Sequence, residues 1–173
     1  MSAAPAREAG GVRISRQSGG VLAFILAPTL AAIDDGRLEI ERYLQTRALS
    51  PKALNRLEVM FEELVSNVVR HGLSSDREHA ILVTIAADDR EARLAIEDDG
   101  RPFDPFVLAE SAQPRSLEEA AIGGLGIPAV RRMATRTAYE LQPESPLWDE
   151  LVRRPGPVNR VVVILASGGR SEG

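Results

Sequence analysis

The sequence has no cysteine, two histidines and few aromatic residues. Without cysteine there is no disulfide, no thiolate metal site and no cysteine nucleophile, a composition that suits a reducing cytosol. Two histidines are too few for a histidine-rich metal site. An aromatic share of 4% leaves the core to Leu, Ile, Val and Ala. An excess of positive charge is also missing: 25 acidic residues outnumber 21 basic ones, for a net charge of -4. No overall basic field exists to hold a nucleic-acid backbone. Nor is there an apolar run of membrane length. The stretch VLAFILAPTLAAI (21–33) follows basic residues and contains Leu30-Ala31-Ala32, which could pass for a signal cleavage site. Pro28 interrupts it, Glu8 lies in the supposed basic region, and its uninterrupted part falls short of the roughly 20 residues a span needs. A strand followed by a proline-started helix explains the run, with no membrane role.

What is present is a globular composition, 44% hydrophobic and 27% charged, in 173 residues. That length suits one domain with a real core. Residues 1–18 and 168–173 are rich in Gly, Ser, Ala and Arg and read as mobile tails, leaving 19–167 as the folded domain. Within it, 20–27 reads as a buried strand and Pro28 opens a helix to about Arg47. Ser50-Pro51 is a clearer start, a capping hydroxyl followed by proline at the first helical position. From there Leu54, Leu57, Phe61, Leu64 and Val68 recur at three- and four-residue steps until Gly72. Segments 80–87 and 92–97 form a hairpin around Asp88-Asp89-Arg90. A polar stretch (109–121) precedes Gly123-Gly124-Leu125-Gly126 and a helix over 127–134. A strand near 137–141, the proline-rich PESPLWDELVRRPGP and a strong strand at 160–166 close the chain. There is no internal repeat. The order predicts an α+β two-layer sandwich: a mixed sheet covered on one face by helices.

Three local patterns carry polar chemistry. On the helix of 51–72, Met60, Glu63, Asn67 and His71 share a sector well away from the apolar one. They are either a solvated face or a base and a neutral oxygen ligand presented one turn apart. Asn suits Mg²⁺, which takes a few hard oxygens from protein and shares phosphate oxygens and water for the rest. Asp98-Asp99-Gly100 follows the hairpin strand. It is either a surface turn or a carboxylate held at a strand end, where it could accept a hydrogen bond from an exocyclic amine. Gly124 and Gly126 precede a helix, as a flexible turn or as a ring of N–H donors for phosphate oxygens.

Together, in this order and spacing, ELVSNVVRHG, IEDDGRPFDP and GGLGIPAVRRMA resemble the three nucleotide boxes of the ATP-binding module shared by gyrase-type ATPases, Hsp90, histidine kinases and MutL. NRVVVILA resembles its closing strand. The match is with the small stand-alone branch, the anti-sigma-factor serine/threonine kinases, and spans 20–166. The resemblance implies the histidine-kinase-like ATPase fold and Mg²⁺ and ATP as cofactors. It implies Glu63 as the base that polarises the attacking hydroxyl, and Asn67 as the Mg²⁺ ligand. It further implies Asp98 as the adenine contact, Gly100 as the position of close approach by the base, Gly124 and Gly126 along the phosphates, and 109–121 as a lid. Arg115 in that lid could meet a phosphate, or is an ordinary exposed arginine. Arg70 and His71 occur together in many members of the branch, although capping of a helix C-terminus explains them equally well. The implied partners are a sigma factor and an anti-sigma-factor antagonist protein phosphorylated on Ser or Thr, in the cytoplasm, with homodimerisation. A non-catalytic ATP-dependent switch and a detached histidine-kinase catalytic domain are the alternatives. Pro102 stands where other branches often have glycine, and Val161 to Val163 occupy the place of a threonine near the adenine.

Overall fold

The computed structural model describes residues 10–108 and 126–168. Its frame is a six-stranded sheet in the order β1-β2-β3-β4-β6-β5, from β1 (Val12–Ser18), β2 (Val21–Leu26), β3 (Ile81–Ala87), β4 (Glu91–Asp98), β5 (Arg136–Gln142) and β6 (Val158–Ala166). The helices are α1 (Ala32–Leu44), α2 (Pro51–Asn67), α3 (Pro105–Leu108), α4 (Gly126–Met133) and α5 (Pro146–Val152).

Every described pairing is antiparallel, which corrects the expected mixed sheet. Two helices separate β2 from β3. They return the chain to the end where β2 stopped, and Leu26 pairs with Ile81. A crossover through α4 would set β5 parallel beside β4, but β6 lies between them.

Strand alternation divides the sheet into two faces. Phe24, Ile81, Val83, Leu94, Ile96 and Val163 join the main core with Leu57, Phe61, Leu64 and Val65 of α2 and Ile40 of α1. Phe24 and Phe61 meet edge to face, with centroids 6.5 Å apart. Ile25 and Leu82, one residue out of phase, face the other way and pack on Trp148 of α5 with Ala80 and Val158. The rear face thus carries a helix of its own, where the sequence suggested helices on one face only.

The long helix starts as its sequence directs: the Ser50 hydroxyl accepts from the Ala53 N–H at 3.2 Å, with Pro51 in the first turn. Its end differs. After Asn67 the chain widens into a π-helical turn, Val68–Gly72. His71 lies within this turn, and its side chain is exposed. Met60, placed in the same sector by periodicity, is fully buried.

Two segments depart from the sequence reading. Residues 12–18, assigned to a tail, form the edge strand β1, whose residues are nearly all exposed and so show no apolar alternation. The proline-rich stretch contains α5. Its Ser145 hydroxyl accepts from the Trp148 N–H at 3.4 Å ahead of Pro146, the same start signal as at 50–51. No described helix is long and apolar enough to cross a membrane.

Candidate functional site

A cavity opens where the end of α2 meets the ends of β4 and β6. Leu64, Asn67, Val68 and Gly72 line it from the helix, and Ile96 and Asp98 line it from β4. Arg101, Phe103, Asn159 and Val161 complete most of the wall. The structure therefore brings two of the sequence-selected residues, Asn67 and Asp98, to one space.

Each has a distinct chemical state. Asn67 makes no capping hydrogen bond, so its amide is available at the cavity wall. Asp98 is buried at the last position of β4, opposite Asn159 of β6. Its Oδ1 accepts from Asn159 Nδ2 at 3.0 Å and from the Gly100 N–H at 2.9 Å. Its Oδ2 receives no hydrogen bond from a described residue. Burial raises the Asp98 carboxyl above the ordinary range, the two hydrogen bonds oppose that rise, and the adjacent Asp99 adds to it.

Gly100 is required here by the chain's own packing. A Cβ at this position would lie 2.4 Å from the Gly72 carbonyl oxygen and 2.7 Å from Asp98 Oδ1. The absent side chain lets the turn after β4 press against the π-helical turn, where the Arg101 N–H donates to Gly72 O at 3.0 Å.

Glu63 lies one turn back along α2, against the first residue of α4. A Cβ at Gly126 would come within 2.2 Å of Glu63 Oε2, so any side chain there would displace that carboxylate. Burial, then the neighbouring Glu62, raises the Glu63 carboxyl above its usual range, and Arg70 opposes the rise. Arg70 and His71 are exposed and line no part of the cavity. Gly124, Arg115 and the expected lid at 109–121 lie outside the described residues.

Sequence reasoning missed Asn159. Besides donating to Asp98, its Nδ2 donates to the Gly100 and Arg101 carbonyls at 3.3 and 3.1 Å. Its Oδ1 accepts from the Tyr139 hydroxyl at 2.8 Å and from the Phe103 N–H at 3.3 Å. The available signal was a carboxamide near the start of a strand that is otherwise aliphatic apart from Arg160.

Asp99 belongs to the opposite side. Its Oδ1 meets His79 Nδ1 at 3.0 Å, and its Oδ2 meets Arg77 Nη1 at 3.1 Å and Arg154 Nη1 at 3.7 Å. The other ring nitrogen of His79 accepts the Ser74 N–H at 3.2 Å, which makes Nδ1–H the donor to Asp99. This network ties the loop after the π-helical turn and the segment after α5 to the end of β4.

Among the described residues, no three His, Cys, Asp or Glu side chains are grouped to hold a metal ion. The donor set fits a cation shared with phosphate oxygens, with Asn67 as the protein oxygen, rather than an all-protein cage.

Comparison with known proteins identifies the family. Residues 26–146, well over half of the chain, match the model of the histidine kinase-like ATPase domain. A serine/threonine-protein kinase, BtrW of Bordetella bronchiseptica, is 30% identical over 84 residues, covering 49% of this chain and 59% of that relative. The alignment thus spans less than two thirds of the relative's length. The histidine kinase domain of a blue-light-activated histidine kinase from Erythrobacter litoralis superposes with a TM-score of 0.46 at 12% identity, covering 82% of this chain and 62% of that one. On its antiparallel sheet and the family match, the chain belongs to the histidine kinase-like ATPase domain family.

Proposed function

We propose that the cavity between Asn67 and Asp98 binds Mg·ATP, and that the protein transfers the γ-phosphoryl group to Ser or Thr of an anti-sigma-factor antagonist while otherwise sequestering a sigma factor. The observation that carries the nucleotide reading is Asp98: a buried carboxylate beside a cavity, with one oxygen doubly engaged and the other without a partner among the described residues. That second oxygen is an acceptor at the cavity, and an exocyclic amine would supply it with a donor. The kinase reading is supported by the relative named as a serine/threonine-protein kinase. The sigma-factor reading is supported by the resemblance of the three motifs to the anti-sigma branch.

The chain's own residues divide the work. Asp98 Oδ2 accepts from the amine of the base, and Phe103, Ile96 and Val161 offer it apolar walls. Asn67 would hold Mg²⁺, which supplies charge neutralisation for the phosphates when bound. Glu63 takes the proton of the attacking hydroxyl at its carboxylate. Its raised pKa makes it a better base than an ordinary surface glutamate. Phosphoryl transfer depends mainly on positioning and charge neutralisation, so this small set is sufficient.

Incubation with γ-labelled ATP and the cognate antagonist should label the antagonist, with an acid-stable phosphoester. Glu63→Gln should lower labelling by about 100-fold or more, within the range of a lost general base, while ATP still binds. Full-rate labelling by the variant would remove Glu63 from that role. ATP binding without transfer would leave a nucleotide-dependent switch, and acid-labile label would indicate a histidine kinase.

A further inference from the structure

We infer that Asn159, acting through Asp98, sets the selectivity of the cavity for a 6-aminopurine over a 6-oxopurine; this rests on the ATP reading above. Asn159 is a positioning residue. It is buried, and its amide is consumed by protein partners: three acceptors around Nδ2 and two donors around Oδ1. The amide can point only one way. Reversal would set its oxygen against Asp98 and two carbonyls, and its NH₂ against the Phe103 N–H.

That fixed orientation determines what Asp98 offers. With Oδ1 held by Asn159 and the Gly100 N–H, the carboxylate plane is set and Oδ2 is left as a pure acceptor. A 6-amino group donates to it. A 6-oxo group, as in guanine or hypoxanthine, places one acceptor against another, and a buried mismatch of that kind is heavily penalised. Without the Asn159 N–H, the carboxyl loses the donor that favours its ionised form. It is then free to rotate or to take up a proton, and a protonated carboxyl can donate to a 6-oxo group. Discrimination should therefore weaken, rather than binding failing uniformly. Tyr139 stands one step further out, since its hydroxyl donates to Asn159 Oδ1. Burial raises the phenol and keeps it a donor.

The test is equilibrium binding of ATP, GTP and purine riboside triphosphate, which has hydrogen at position 6, each with Mg²⁺. The wild-type chain, Asn159→Ala and Tyr139→Phe are compared. The wild-type chain should prefer ATP to both analogues. Asn159→Ala should lower the ATP/GTP and ATP/purine ratios by about 10-fold each, as expected for a misaligned polar contact, while the affinity for the 6-hydrogen analogue stays within about threefold. A residue that only props up the fold would weaken all three nucleotides alike and leave the ratios unchanged, and that result would overturn the inference. Tyr139→Phe leaves the Asn159 side chain in place and should shift both ratios in the same direction by about threefold. If Asn159→Ala does not fold, unchanged ratios in Tyr139→Phe overturn the inference in its place. Failure of the wild-type chain to bind any of the three nucleotides would overturn the ATP reading itself, whereas ATP binding with ratios insensitive to both substitutions would overturn this inference alone.

Discussion

Asp98 and Asp99 are consecutive, both buried, and differ in almost everything that surrounds them. Asp99 has two arginines, a histidine and a backbone N–H as partners. Among the described residues, Asp98 has two neutral donors on one oxygen and none on the other. Strand alternation causes the divergence, because neighbouring side chains at the end of β4 leave on opposite faces. The contrast separates a carboxylate engaged by the fold from one with an oxygen left to accept. Both line cavities, but Asp99 has partners on both carboxylate oxygens, while Asp98 keeps one oxygen with no partner among the described residues. The faces behind them differ as well: on the rear, Trp148 packs on Ile25 and Leu82, and Asp99 lines a second cavity beside Arg77 and Arg154, while the front cavity lies between α2 and the sheet.

The largest effect expected from breaking this contrast is on the rear face. Trp148→Ala removes a fully buried side chain and should cost about 3–5 kcal/mol of stability, read by chemical denaturation. On the front face, Asp98→Asn should weaken ATP binding by about 100-fold, since a hydrogen bond to a charged group is worth about 1.5–3 kcal/mol. Its thermal midpoint at neutral pH should hold or rise. Folding raises the Asp98 pKa, so its stabilising contribution is fully present in acid and is lost as pH rises through the folded value. At neutral pH the buried charge is a cost that Asn relieves. Asp99→Asn should do the reverse, costing about 1–2 kcal/mol, a modest figure because the arginines are partly exposed. It should leave ATP affinity within about threefold. The smallest effect is on pH dependence. ATP affinity should decline as pH falls through the raised Asp98 range, because the protonated carboxyl no longer accepts from the base. The corresponding decline for Asp99→Asn should begin at lower pH, since Asp99 contributes to the rise.

How much of this was legible in the sequence follows physical lines. The long helix could be read because its cap, proline and apolar spacing agree, β3 and β4 because they alternate partly around the turn Asp88-Asp89-Arg90, and β6 because it is a largely aliphatic run. The edge strand β1 could not, since an exposed edge has no apolar face to announce it. Helix α5 carried the same Ser-Pro start as α2, but surrounding prolines and its length of 7 residues masked the periodicity. In the site, Asn67 and Asp98 were legible as polar residues set within motifs, whereas Asn159 was not. Its role arises from a strand pairing across 61 positions of sequence that no local pattern encodes. Likewise, Gly100 was expected to make room for a base, and the structure shows it making room for the Gly72 carbonyl.

Titration of the wild-type chain and Asn67→Ala with ATP, with and without Mg²⁺, tests the central claim most directly. The wild-type chain should bind ATP saturably and more tightly with Mg²⁺, and Asn67→Ala should lose that Mg²⁺ dependence while remaining folded. No saturable binding by the wild-type chain, or an unchanged Mg²⁺ dependence in the variant, would contradict a nucleotide site built between Asn67 and Asp98.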